Sequence, residues 1–178
     1  LDSVFEQTNG RLIGIASAGN SAINACTVLP AGNDAVVAVA ASDISDQLVT
    51  FSNFGECCDF VAPGKDVLGP VAGTLTTGGF FSGTSFSSPL LVGTYAVLST
   101  QSSCGTRDVV CISEFVYNRS TKNVITGANL GQTRNALPYS LTEEQESSGL
   151  CSNTLSHRPF VFFEIINVFL LIYLMNAQ

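Results

Sequence analysis

The chain has 178 residues, 46% of them hydrophobic and only 12% charged, with a formal net charge of −7. That length holds one domain with a real core, and the composition excludes a disordered chain and suits a sheet buried on both faces. The negative balance argues against nucleic acid as a partner, because a phosphate backbone calls for a basic surface.

Six cysteines, at 26, 57, 58, 104, 111 and 151, point to an oxidising compartment. None of their spacings reads as a zinc site. The sequon Asn118-Arg119-Ser120 agrees with a secreted product. Leu1 is not an initiator methionine and no signal peptide opens the chain, so a cut N-terminus is expected.

Leu1, Val4 and Phe5 are spaced as the end of an amphipathic helix, stopped by Asn9-Gly10. Leu12-Ile13-Gly14-Ile15-Ala16 is an apolar run of strand length that ends in Ser17-Ala18-Gly19-Asn20. Helix, turn and buried strand make half of a βαβ unit, hence a parallel sheet. Asn20 then stands just beyond the carboxyl end of a strand, where sites in open α/β sheets lie. Residues 35–41 predict a second buried strand, and Cys57-Cys58-Asp59-Phe60-Val61-Ala62 a short third one ended by Pro63-Gly64. Asp43 and Asp46 read as solvated loop carboxylates. Residues 69–79 are rich in Gly and Thr without a period and predict a surface loop.

The next stretch, Gly79-Phe80-Phe81-Ser82-Gly83-Thr84-Ser85-Phe86-Ser87-Ser88-Pro89, runs into apolar residues long enough for a buried helix. A Ser at such a junction meets free N–H groups and a dipole that favour a developing negative charge. A plain helix cap would use the same residue types. Pro89 fits near a helix start and cannot donate to the carbonyl of Ser85. Ile112 to Val116 is a short helix or strand.

Gly83-Thr84-Ser85-Phe86-Ser87-Ser88-Pro89 resembles the serine signature of subtilisin-like serine proteases. Ala18-Gly19-Asn20, Phe51-Ser52-Asn53-Phe54-Gly55 and Ala62-Pro63-Gly64 resemble other strings of that family, in the same order. Phe86 stands where Met is usual, and Leu90 where a non-catalytic His is common. The resemblance covers residues 1–140, the C-terminal half of a catalytic domain, and implies a three-layer α/β/α fold with a mostly parallel sheet, here incomplete. It implies a serine-type endopeptidase acting on peptide or protein substrates. Ser85 is its nucleophile, and the Asn20 side chain with the Ser85 N–H forms the oxyanion hole. Ala16, Ser17, Ala18 and Gly19 form one wall of the pocket for the residue before the scissile bond.

No cofactor is required for that chemistry. In some members the Asp at position 59 binds calcium together with two backbone carbonyls, here those of Asp34 and Val36. A carboxylate hydrogen-bonded to loop N–H groups is the other reading of Asp59. The secreted branches of the family imply a disulfide between Cys26 and Cys57. The pairing of Cys58, Cys104, Cys111 and Cys151 stays open.

A Ser-His-Asp mechanism needs a base and an acid that orients it. The single histidine is His157, in the tail, whereas the family runs Asp, His, Ser. The upstream Asp and His motifs of the family are absent from this sequence, and the resemblance implies a prodomain or the missing N-terminal half of the domain as a partner. A non-catalytic truncated or pseudo-protease that binds a peptide or prodomain is the alternative. An α/β esterase is disfavoured, since Gly83-Thr84-Ser85-Phe86-Ser87 is not a Gly-x-Ser-x-Gly elbow. Residues 141–178 are foreign to the family: a polar acidic linker, then an apolar run over 160–175 that carries Glu164 and Asn167. That run reads as a membrane anchor, a partner-binding helix or an alternative 3′ end of the message, the last being favoured, because a spanning helix needs about 20 apolar residues.

Overall fold

The computed structural model describes residues 12–73, 77–104 and 108–139. The chain divides into two compact units, Leu1–Pro138 and Tyr139–Gln178. The helix expected over the first seven residues lies outside the described residues. So do Cys151, His157 and the apolar run of the tail.

Three strands form a parallel sheet in the order β1 (Gly14–Ser17), β2 (Val36–Ser42), β3 (Phe60–Pro63). Gly14 faces Val36 in the β1–β2 register, and Val39 faces Phe60 in the β2–β3 register. The continuous apolar runs of β2 and β3 follow from burial on both faces, whereas β1, expected as a buried strand, is half-buried because it is the end strand of the described sheet. Ala38, Ala40 and Val61 point into one cluster with Ala18, Ala25, Leu48 and Ile125. Val39, Phe60 and Ala62, on the alternate positions, point into a second with Leu91, Tyr95, Leu98 and Val116.

Helix α1 (Thr84–Gln101) covers that second face and packs on all three strands; helix α2 (Val109–Arg119) packs against α1. Leu91 and Leu98 are fully buried, seven residues apart on one face of α1. Burial of each is worth roughly 1.5–3 kcal/mol. The first face is covered by loops and a single turn of 3₁₀ helix at Ala25–Thr27. Among the described residues this is an α/β architecture built on a parallel sheet, as the sequence led us to expect.

The glycine-rich stretch differs from the sequence expectation. Strands β4 (Val67–Pro70) and β5 (Gly78–Phe81) pair antiparallel, Val67 facing Phe81 and Leu68 facing Phe80. Strands of four residues are too short to show a period, and three of the eight are glycine. The stretch read as helix or strand over 112–116 lies inside α2, which Asp108 caps by accepting from the Cys111 N–H at 2.9 Å. Strands β6 (Thr121–Lys122) and β7 (Ala136–Leu137) close the described fold. No helix among the described residues is long and apolar enough to cross a membrane.

Cys26 is bonded to Cys57 with Cα atoms 5.3 Å apart, and Cys104 to Cys111 at 5.7 Å. Cys58 is a free, buried thiol.

Candidate active site

The site is assembled where β1, β3 and α1 end or begin. Beyond β1 the Ala18 N–H still donates to the Val39 carbonyl at 2.9 Å, so the sheet holds the chain up to the turn. Asn53 then fixes the turn itself. Its side chain is 1% exposed. Its Oδ1 accepts from the N–H groups of Ser21 (3.0 Å) and Ile23 (3.1 Å), and its Nδ2 donates to the Ala18 carbonyl (2.8 Å). The Asn53 N–H donates to the Gly19 carbonyl at 2.9 Å. Gly19 has φ +105°, and a Cβ there would collide with the Asn53 amide, so this position demands glycine.

The start of α1 is tied to the same turn and to β3. The Gly83 N–H donates to the Gly64 carbonyl at 2.7 Å. The Ser87 hydroxyl, fully buried, donates to the carbonyls of Ala62 (3.1 Å) and Pro63 (3.3 Å). Gly64 is needed because a Cβ would run into the Ser87 hydroxyl. Phe86 stacks on Phe81 with ring centroids 5.5 Å apart, a partner that accommodates the aromatic ring at this position.

Asn20 and Ser85 meet across this junction. The Oδ1 of Asn20 accepts from both the N–H and the hydroxyl of Thr84, at 2.9 and 3.0 Å. A backbone N–H can only donate, so the amide orientation is settled and Nδ2 is turned away as a donor. The Thr84 hydroxyl in turn accepts from the Gly19 N–H at 3.1 Å. The cap position of α1 is Gly83, with no side-chain cap bond, so Ser85 is not a capping serine. It is the second residue of the helix, exposed, and its hydroxyl makes no hydrogen bond among the described residues.

The donor count at the helix start is decisive for the chemistry. Thr84 gives its N–H to Asn20, and Phe86 gives its own to the Gly83 carbonyl at 3.0 Å. The Ser85 N–H between them is left free. Gly83 has φ +152°, and the place its missing Cβ would take lies 3.5 Å from Asn20 Nδ2 and 3.8 Å from the Ser85 nitrogen. A hollow bordered by two unused N–H donors stands beside an exposed serine hydroxyl. That arrangement suits an oxygen acquiring negative charge.

Residues 2–136 match a sequence model of the subtilase family. The chain belongs to the subtilase family. It is 40% identical over 87 residues to the thermophilic serine proteinase of a Bacillus species, covering 49% of this chain and 21% of that protein. It is 40% identical over 77 residues to cerevisin of Saccharomyces cerevisiae, covering 43% of this chain and 12% of that protein. The crystal structure of a cold adapted subtilisin-like serine proteinase superimposes with a TM-score of 0.69 at 26% identity, over 80% of this chain and 50% of that one. The aligned part thus spans less than a quarter of these curated relatives and half of the solved structure.

The other subtilase expectations find these places. Ala16 and Ser17 end β1, Ala18 is fully buried, and Gly19 carries the turn. Asp43 accepts from the N–H groups of Ser45 (2.9 Å) and Gln47 (3.1 Å) in its own loop. Asp34, Val36 and Asp59 line one pocket of about 260 Å³ with Tyr95, Tyr117 and Arg134. One Asp59 oxygen accepts from the Ala38 N–H at 2.9 Å. Burial raises the Asp59 pKa, opposed by that N–H and by the charge of Arg134. Calcium takes six to eight oxygens. Here one Asp59 oxygen remains free, Asp34 and Val36 line the same pocket, and a guanidinium shares it. Among the described residues no three His, Cys, Asp or Glu side chains converge as a metal-holding group. The charge of Arg134, rather than any want of oxygens, is what sets this pocket against a divalent ion.

Two residues that position the site carry no role in the sequence reading, Thr84 and Asn53. Each lies inside a motif string, but each acts on a segment thirty or more residues away.

Proposed function

We propose that this segment supplies the nucleophile and the oxyanion hole of a secreted serine endopeptidase. The Ser85 hydroxyl attacks the carbonyl carbon of a peptide bond. The C–O bond that forms converts the carbonyl oxygen to an oxyanion, which takes hydrogen bonds from Asn20 Nδ2 and the Ser85 N–H. Both donors are fixed before charge develops, so no reorganisation is needed in the transition state. Ala16 to Gly19 lie along the strand end that leads to Asn20, and the small side chains leave room for an apolar or mid-sized substrate residue. The observation that carries the reading is the hollow at Gly83, bordered by two free donors next to Ser85.

The hydroxyl also needs a base to take its proton. The chain's one histidine is His157, in the tail and after Ser85. The second reading is a segment that binds a peptide or prodomain without turnover. The test pairs a peptide substrate with a serine-directed phosphonate probe, on the protein and on Ser85→Ala. Hydrolysis and labelling that both vanish in Ser85→Ala support the endopeptidase. Peptide binding without either supports the binding module.

A further inference from the structure

The pocket between β2, β3 and α2 contains a cation of its own. Arg134 is anchored beside Asp59: its N–H donates to the Cys58 carbonyl at 3.1 Å, and its carbonyl accepts from the Ala136 N–H at 2.9 Å. Its guanidinium carbon lies 3.5 Å from the centroid of the Tyr117 ring, and Lys122 Nζ lies 4.2 Å from the same centroid. The ring therefore holds two positive charges at the pocket wall. Arg134 and Asp59 are not in direct ion-pair contact within 4.0 Å, so the guanidinium acts across the pocket. Asp34 and Glu114 also line it, but both are exposed and solvated at its mouth.

We propose that the guanidinium of Arg134 takes the place of a bound metal ion in this pocket, so that Asp59 is balanced from within the chain and the fold does not respond to calcium. The physical case is charge. A divalent ion entering the pocket would meet a fixed positive charge stacked on Tyr117, which cannot be deprotonated. The guanidinium, by contrast, is part of the chain and keeps its place on the ring without any ion being bound. Arg134 lies in the turn that leads into β7, so the charge arrives with the last described strand.

Thermal unfolding of the purified protein in calcium chloride and in EDTA tests this directly. The expected Tm is the same in both. Arg134→Gln should make Tm rise with calcium, Asp59→Asn in that background should abolish the rise, and Arg134→Lys should stay insensitive. Terbium provides a readout on the unmodified protein, because Tyr95 and Tyr117 would sensitise an ion bound between them. No sensitised emission is expected. A calcium-dependent Tm in the unmodified protein that Asp59→Asn removes would overturn the proposal. So would terbium emission displaced by calcium and lost in Asp59→Asn, or an Arg134→Gln protein that folds and remains blind to calcium.

Discussion

Asn20 and Thr84, 64 residues apart, share one oxygen: Asn20 Oδ1 accepts from the Thr84 N–H at 2.9 Å and from its hydroxyl at 3.0 Å. The pair turns a flexible exposed amide into a donor with one orientation. Asn20→Ala, in a protein that carries the whole catalytic domain, should therefore lower kcat with little change in KM, because the donor acts on charge present only in the transition state. The corresponding loss in subtilisin is about 10²–10³ in kcat. Thr84→Val keeps the shape but removes the hydroxyl bond, and should give a smaller loss of kcat. Steady-state kinetics on a peptide substrate read both. A loss that falls wholly on KM would contradict the role of the pair.

Gly83→Ala separates the hollow from its donors. The methyl group would stand 3.5 Å from Asn20 Nδ2, in the space given to the oxyanion, and at a φ of +152° that side chains avoid. We expect kcat to fall by at least as much as in Asn20→Ala, with the fold retained as judged by circular dichroism. Unchanged turnover in a folded variant would show that the oxyanion sits elsewhere.

Much of this was legible in the sequence. The apolar run at 35–41 announced a buried strand because both faces of the sheet are covered there, the run at 12–16 announced a strand that proves only half-buried, and Ala18-Gly19-Asn20 announced its place at a strand end. What the sequence hid is contact across long separations. Asn53 is one letter in Phe-Ser-Asn-Phe-Gly, and only the fold shows it holding residues 18–23 with its side chain. Arg134 stands in a polar stretch, and only the fold places it in the pocket of Asp59. The β4–β5 hairpin was hidden because its short glycine-rich strands carry no alternation.

Asn53→Asp tests the brace. The substitution puts an oxygen where Nδ2 now donates to the Ala18 carbonyl, and it buries a charge at a position 1% exposed. A lost buried hydrogen bond with an unsatisfied partner costs about 1–3 kcal/mol, and more for a charged group. Denaturant melts should show destabilisation of that order or greater. A stability equal to the parent would mean that the 18–23 turn is held by something else.

The Cys26–Cys57 bond closes a separation of 31 residues around the loop that follows Asn20. In the chain-entropy account that is worth roughly 3–4 kcal/mol. Peptide mapping without reduction should recover the two linked, and the Cys26→Ala/Cys57→Ala protein should melt at lower temperature. Free thiols at both positions in folded, oxidised material would refute the pairing.

Cys58 gives the chain a pH signature. Burial, with the neighbouring Asp59 charge, pushes its thiol from 9.0 up to about 12. Between those values the unfolded thiol has lost its proton while the folded one keeps it. The native state then binds more protons, so stability falls as pH rises through that window, by up to about 1.4 kcal/mol per pH unit. Tyr95 acts in the same direction, raised from 10.0 to about 12 chiefly by burial. Cys58→Ala removes the first contribution and leaves the second. Its unfolding free energy, followed by urea melts from pH 8 upward, should start lower because a buried side chain has been trimmed, and should then decline less steeply from about pH 9 than that of the parent protein. Parallel slopes across that range would show that the Cys58 thiol titrates alike in both states, and therefore that it is not sealed in the core beneath the Cys26–Cys57 bridge.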